Sequence, residues 1–239
     1  MIGTILNAAG IVIGGCFGLV RRKPLSPAKE SFFRVTLGAF TVFYGLRLTW
    51  LSLNGPFLRI LKQVVIAVLA LMLGKLIGRL LHLQKMSNRL GRIARQKIMD
   101  AKPQDPYRAS EGFKTCALLF CAAPLGILGA VQDGLAGYFY PLAVKAVIEG
   151  LAAMGFVPVF GWGVLVAALP VLTFQGSITL GAHFVEPFLR AHNLVDSVNA
   201  AGGLLVFSVA LVILDLKKIE LADYLPSLAV APLIAWLWG

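Results

Sequence analysis

Lys145 and Glu149 are the residues whose types and spacing most directly imply chemistry. They stand four apart inside an apolar run near residues 138–158, and a helix brings such a pair onto one face. Ionisable groups within a bilayer are costly and turn toward a partner or a cavity. The pair therefore marks either a site or, on the plainer reading, a mutually neutralising structural contact. In a site, Lys145 can bind an anionic group, while Glu149 can carry a proton or hold Lys145 in place. Two amides occur in comparable surroundings. Asn7, with Thr4 before it, opens a small-residue stretch through Gly10, Gly14 and Gly18. Gln175 has Thr173, Ser177 and Thr179 around it. At 1.5 Å per helical residue, Asn7 lies about 8 Å, Lys145 about 10 Å and Gln175 about 15 Å from the outer ends of their segments. These depths suit one polar cavity opening outward. The substrate-binding candidates are thus Asn7, Lys145, Glu149 and Gln175, flanked by Thr4, Thr173, Ser177 and Thr179. The hydroxyls are weaker signals, because helical Ser and Thr often bond their own backbone carbonyls.

Other chemistries lack their residues. His82, His183 and His192 show no paired-ligand spacing, and Cys16, Cys116 and Cys121 lie in apolar runs without metal or redox spacing. There is no Ser–His–Asp pattern, phosphate loop or zinc motif, so neither an enzyme nor a bound cofactor or metal is expected. Asp133, in Gln132-Asp133-Gly134, reads as part of a surface turn. Arg47 reads as a side chain that snorkels to the outer surface.

The elements that must position these groups are membrane spans. Of 239 residues, 58% are hydrophobic and 14% charged, against about 25% charged in an ordinary soluble domain. Apolar segments fall near 2–20, 36–53, 57–78, 113–131, 138–158, 161–185, 199–214 and 224–238, each close to the length a bilayer requires. Pro158, Gly161 and Gly163 supply the break between the fifth and sixth. The net charge of +11 does not indicate a nucleic-acid partner. Its Lys and Arg cluster in alternate loops, as positive cytoplasmic loops do. Arg21, Arg22, Lys23, Lys29 and Arg34 follow the first segment, nine basic residues lie between Arg79 and Lys114, and Lys217 and Lys218 follow the seventh. The other loops hold Arg59, Lys62 and Arg190. About eight spans with the N-terminus outside place every cluster in the cytoplasm. The first segment has its charges after the apolar core rather than before it, which indicates a retained helix, not a secretory signal.

Residues 83–99 are amphipathic. Leu83, Met86, Leu90, Ile93, Ala94 and Ile98 recur at helical spacing, with Lys85, Arg89, Arg92 and Arg95 on other faces. This pattern suits a basic helix on the anionic cytoplasmic leaflet. Segments one to three and six to eight share a layout: a polar amide in a small-residue helix, a polar connection, then a glycine-led helix. They are five segments apart, so the halves would be inverted, as in many secondary transporters. Gly10, Gly14 and Gly18, and separately Gly74 and Gly78, form faces for close helix crossings or a homo-oligomer seam.

The sequence also resembles the YqgA/YdfK-type family of bacterial membrane proteins. Met1 to Asn7, Leu128 to Gly134, Lys145 to Gly150, Pro170 to Leu180 and Ala201-Gly202-Gly203 carry the resemblance. It covers nearly the whole chain, although that family often has Asp where Glu149 stands. The family is a domain of unknown function, so the resemblance implies location and topology but neither substrate nor mechanism. The expectation is an all-α, polytopic transmembrane helical bundle forming a single membrane domain over 1–239. It comprises a three-helix unit (1–78), a cytoplasmic amphipathic helix and linker (79–112), two central helices (113–158) and a second three-helix unit (161–239). It is expected in the bacterial cytoplasmic membrane, acting as a secondary transporter or channel for a small polar or anionic solute. The alternative is a non-transporting scaffold or sensor that works through its basic cytoplasmic helix.

Overall fold

A computed structural model describes residues 1–20 and 25–238. Arg21, Arg22 and Lys23, part of the orientation argument, lie outside the described residues. Twelve helices and no strand occur among those described: α1 (Ile2–Val20), α2 (Pro27–Ser52), α3 (Phe57–Leu80), α4 (Leu83–Asp100), α5 (Arg108–Ala122), α6 (Pro124–Ala136), α7 (Tyr140–Phe160), α8 (Gly163–Val166), α9 (Ala168–Ala191), α10 (Val195–Ile213), α11 (Leu221–Tyr224) and α12 (Ser227–Leu237). Proline and glycine punctuate them. Pro27 and Pro124 occupy first-turn positions, where a missing N–H costs nothing. Gly137 and Gly161 end α6 and α7 with φ of 63° and 69°, a region that side-chain-bearing residues rarely adopt.

Burial is arranged for lipid. Phe17, Leu58, Met72, Leu76 and Phe184 are exposed, whereas Thr4, Asn7, Gln132, Lys145 and Gln175 are buried. Alone or as one run through α8 and α9, five helices are long and apolar enough to cross a membrane: α1, α3, α7, α8–α9 and α10. The pair α5–α6, bent by 61°, makes a sixth if it counts as one span. The other two expected spans are less clear-cut. The 26-residue α2 carries Lys29, Glu30, Arg34 and Arg47, and α11–α12 is a shorter apolar stretch, Leu221–Leu237.

The span expected near 113–131 falls in the bent pair α5–α6. Pro124 has no N–H for the carbonyl four residues back and cannot continue α5. A β-carbon on Gly112 would meet Phe160, and one on Gly163 would meet the Ala109 carbonyl, so α5 starts beside the end of α7. A β-carbon on Gly129 would touch Leu142 at 2.8 Å, so α6 finishes beside the start of α7. The two halves together follow α7 in the opposite sense, with α5 beside its end and α6 beside its start.

Close crossings fix the remaining neighbours. The stripe of Gly10, Gly14 and Gly18 packs against Ala146, Gly150 and Met154, so α1 and α7 run parallel with their backbones in contact. α9 runs antiparallel to α1, with Thr4 beside Thr179 and Asn7 beside Gln175. Gly38 faces Leu214 and Gly45 faces Phe207, which sets α2 antiparallel to α10. Gly74 faces Ser227 and Gly78 faces Asp223, which sets α3 antiparallel to α11–α12. Both glycine faces singled out in the sequence are therefore used within the chain. The helix α4 matches its expected limits, but part of its apolar stripe is covered. Ala94 is fully buried and Ile98 packs against the core cluster; Lys97 pairs with Glu111 at 2.6 Å and Ser87 donates to the Ala122 carbonyl at 3.4 Å, so α4 lies antiparallel along α5. Met86 and Ile93 remain exposed, as do Lys85, Arg89, Arg92 and Arg95.

Candidate intramembrane polar site

The packing of α1, α5, α6, α7 and α9 brings six polar side chains into the interior. Lys145 and Glu149, one turn apart on α7, form an ion pair. Asn7 of α1 donates from Nδ2 to Glu149 Oε2 at 2.9 Å and to Gln175 Oε1 at 3.0 Å. Thr4 and Thr179 hydroxyls meet at 2.9 Å one turn further along α1 and α9. Asn7, Gln175, Thr4 and Thr179 are fully buried, and Lys145 and Glu149 are 2% and 4% exposed. The cluster is closed on every side. It is not the outward-opening cavity that the helix depths had suggested.

The break between α5 and α6 belongs to this cluster. In a continuous helix the Phe120 carbonyl would accept from residue 124, but Pro124 has no N–H to give. Lys145 Nζ takes that place, donating to Phe120 O at 3.0 Å. The carbonyl end of a half-helix carries partial negative charge, so an ammonium there is favoured. Gly126, in the first turn of α6, leaves the room this requires. A β-carbon on it would lie 3.0 Å from both Lys145 Cε and Gln175 Nε2. Lys145 thus has two partners, a carboxylate on its own helix and a backbone oxygen freed by a proline.

The accounting of polar atoms is incomplete. Asn7 Oδ1 and Gln175 Nε2 are buried without a hydrogen-bond partner. Buried polar atoms are usually satisfied, and each orphan costs about 1–3 kcal/mol. Two orphans of opposite character, an acceptor and a donor, sit beside a charge pair. Such an arrangement can receive a small polar group or water.

Of the eight residues named from sequence, Asn7, Lys145, Glu149 and Gln175 join directly, and Thr4 and Thr179 extend the cluster. Thr173 and Ser177 do not belong to it. Both are exposed, with hydroxyls turned back to the Leu169 and Phe174 carbonyls. Helical geometry explains this: two residues on either side of Gln175 is a turn of about 200°, while Thr179, four residues on, shares its face. Asp133 is not in a surface turn. It lies inside α6, nearly buried, because the chain turns only at Gly137. Its carboxylate accepts from the Gly3 and Thr4 N–H groups at 3.0 and 3.4 Å, and the Met1 amino group lies 3.3 Å away. Asp133 therefore caps the start of α1 from another helix. Next to it, Gln132 is fully buried with neither amide atom paired. The sequence signal for both was the apolar run on either side of them, which keeps a Gln-Asp pair inside a helix. No group of three or more His, Cys, Asp or Glu able to hold a metal occurs among the described residues.

An all-helical chain with lipid-facing apolar surfaces and a closed polar centre defines an integral membrane protein. The chain matches, over residues 2–236, the family described as Protein of unknown function (DUF554), and it belongs to that family. It is 27% identical over 238 residues to the Uncharacterized membrane protein YdfK of Bacillus subtilis (strain 168), covering 99% of this chain and 96% of that protein. It is 28% identical over 241 residues to the Uncharacterized protein YqgA of Escherichia coli (strain K12), covering 100% and 97%. No solved structure matches the chain.

Proposed function

We propose that this protein is a secondary transporter for a small polar or anionic solute in the bacterial cytoplasmic membrane, held here with its site closed. The observation that carries the reading is the Lys145–Glu149 pair at the α5–α6 break, bordered by the unpaired atoms of Asn7 and Gln175. Discontinuous helices that meet ionisable groups within the membrane are the recurrent way such proteins build a solute site. In this reading an anionic group of the solute takes the place of the Glu149 carboxylate at Lys145. Low dielectric penalises net charge, so a proton on Glu149 accompanies the anion and keeps the closed site neutral.

The antiparallel pairs α1–α9, α2–α10 and α3–α12 support the view that the two three-helix units are inverted copies. Each helix of the first unit has its counterpart in the second as a neighbour. The crowding of basic residues on the face holding α4 and the α10–α11 loop supports a cytoplasmic assignment for that face, with the N-terminus outside. The test is uptake into proteoliposomes carrying an internal pH-sensitive dye, offered a panel of small carboxylates, amino acids and phosphate. Native protein should acidify the lumen with one class of anion, and both Lys145→Ala and Gln175→Ala should lose that signal. Signals unaltered by either substitution would remove the site assignment.

A further inference from the structure

A second polar region is built from helices that take no part in the Lys145 cluster, where α3, α10, the start of α4 and the 214–220 connection meet. They enclose a cleft of about 890 Å³. One wall is apolar, built from Leu71, Leu205 and Val212, and the rim carries Lys75, Lys217 and Lys218. Glu220 is the one carboxylate on the lining. It is already engaged by Arg79 at 3.1 Å and Lys75 at 3.7 Å, and these cations hold its carboxyl below the usual carboxylate range. Lys217 and Lys218 make no ion pair among the described residues, and both are exposed. The side chain of Asn88 adds a polar group on the α4 side, where it accepts from Gln84 Nε2 at 2.9 Å. The cleft is thus greasy along its helices and cationic at its edge, on the basic face of the molecule.

We propose that this cleft is a binding site for an anionic phospholipid. The headgroup phosphate sits between Lys217 and Lys218, and an acyl chain lies along Leu71, Leu205 and Val212. A basic pocket between membrane helices on the positively charged side has the charge and polarity such a lipid needs. A volume of about 890 Å³ is within the range of small-molecule sites. The neutral headgroup of phosphatidylcholine leaves the two free lysines without a net counter-charge. A water-soluble phosphate lacks the tail that would cover the apolar wall.

Native mass spectrometry of the full chain, delipidated in detergent and titrated with phosphatidylglycerol or phosphatidylcholine, tests this. One phosphatidylglycerol per chain should be retained preferentially. The double substitution Lys217→Ala/Lys218→Ala should weaken its retention by about thirtyfold, from roughly fivefold per lysine. Val212→Trp, which fills the apolar wall, should weaken it as well, with an unchanged melting temperature showing that the fold is intact. Arg89→Ala/Arg92→Ala, on the exposed face of α4, should leave it unaltered. Equal retention of the two lipids, an equal loss from the α4 variant, or glycerol 3-phosphate binding as tightly as the lipid would overturn the proposal. None of these outcomes depends on transport.

Discussion

Removing one charge of the Lys145–Glu149 pair should harm the protein more than removing both. Lys145→Met leaves the buried Glu149 carboxylate with Asn7 Nδ2 as its remaining partner and leaves the Phe120 carbonyl without a donor. Breaking a buried ion pair from one side costs about 3–5 kcal/mol. The orphaned carbonyl adds about 1–3 kcal/mol, because Pro124 cannot serve it. Glu149→Leu strands the ammonium but keeps its bond to Phe120, so its cost is about 3–5 kcal/mol. Lys145→Met/Glu149→Leu removes both charges and leaves chiefly the carbonyl unpaired, about 1–3 kcal/mol. The double variant should therefore be more stable than either single one. Melting in lipid nanodiscs reads this directly, at roughly 2–4 °C per kcal/mol for a chain of this size. Singles that melt within 2 °C of the native protein, or a double variant that melts at the sum of the two losses, would refute the energetic account of the site. A double variant that is stable yet inactive would separate the functional role of the pair from its structural one.

Four further outcomes follow from the packing. Gly14→Ala forces a methyl group onto the Gly150 carbonyl and should destabilise by about 1–3 kcal/mol or more, whereas Gly91→Ala meets nothing within 4 Å and should stabilise α4 by about 1 kcal/mol; thermal melts compare them. Asp133→Ala removes the cap on Gly3 and Thr4 and should lower stability by about 1–2 kcal/mol, seen as faster hydrogen exchange confined to the start of α1. Thr179→Val leaves the Thr4 hydroxyl alone and should cost about 1–3 kcal/mol in a melt, while Thr173→Val and Ser177→Val on the lipid side should stay within about 0.5 kcal/mol. A Thr4→Cys/Thr179→Cys protein, with Cys16, Cys116 and Cys121 replaced, should lose uptake on oxidation and regain it on reduction; full uptake by the oxidised form would refute a moving α1–α9 contact.

What the sequence made legible was local. The charged pair needed only helical spacing and an apolar surround, and the same surround exposed Asn7 and Gln175. The glycine stripe announced a close crossing but not its partner, which lies more than a hundred residues away on α7. Thr173 and Ser177 went astray because closeness in sequence to Gln175 outweighed helical phase. Asp133 was misread because Gln-Asp-Gly is turn-like in isolation. The actual turn needs the left-handed backbone that Gly137 supplies three residues later. The α5–α6 break had a visible cause in Pro124, but its importance did not. Nothing local says that the carbonyl it frees would be met by Lys145 across a gap of 25 residues in sequence.

The proposed transport would require some helices to move together and others to part, and the contacts divide along chemical lines. The α1–α7 crossing is backbone against backbone: added carbons at Gly10 or Gly150 would lie 2.6–2.7 Å from a facing carbonyl oxygen. Such interlocked surfaces do not slide without overlap. α6 and α9 are joined in the same way, with Gly134 set against the Thr179 carbonyl and Ala182. Between these two pairs, α1 meets α9 through hydroxyl and amide hydrogen bonds, Thr4 to Thr179 and Asn7 to Gln175. Hydrogen bonds between side chains can be exchanged for bonds to water or solute at little net cost, whereas a dispersed steric interlock has no substitute. The α1–α9 seam is therefore the one most able to open, while the Gly129–Leu142 packing and the Asp133 cap hold α6 to α7 and to the start of α1. Lys145 on α7 and Gln175 on α9 flank the seam, each within reach of the small Gly126 on α6. Parting of α1 from α9 along this seam would expose the charged pair first, and Lys145 would keep its bond to the Phe120 carbonyl while α5 stayed beside α7.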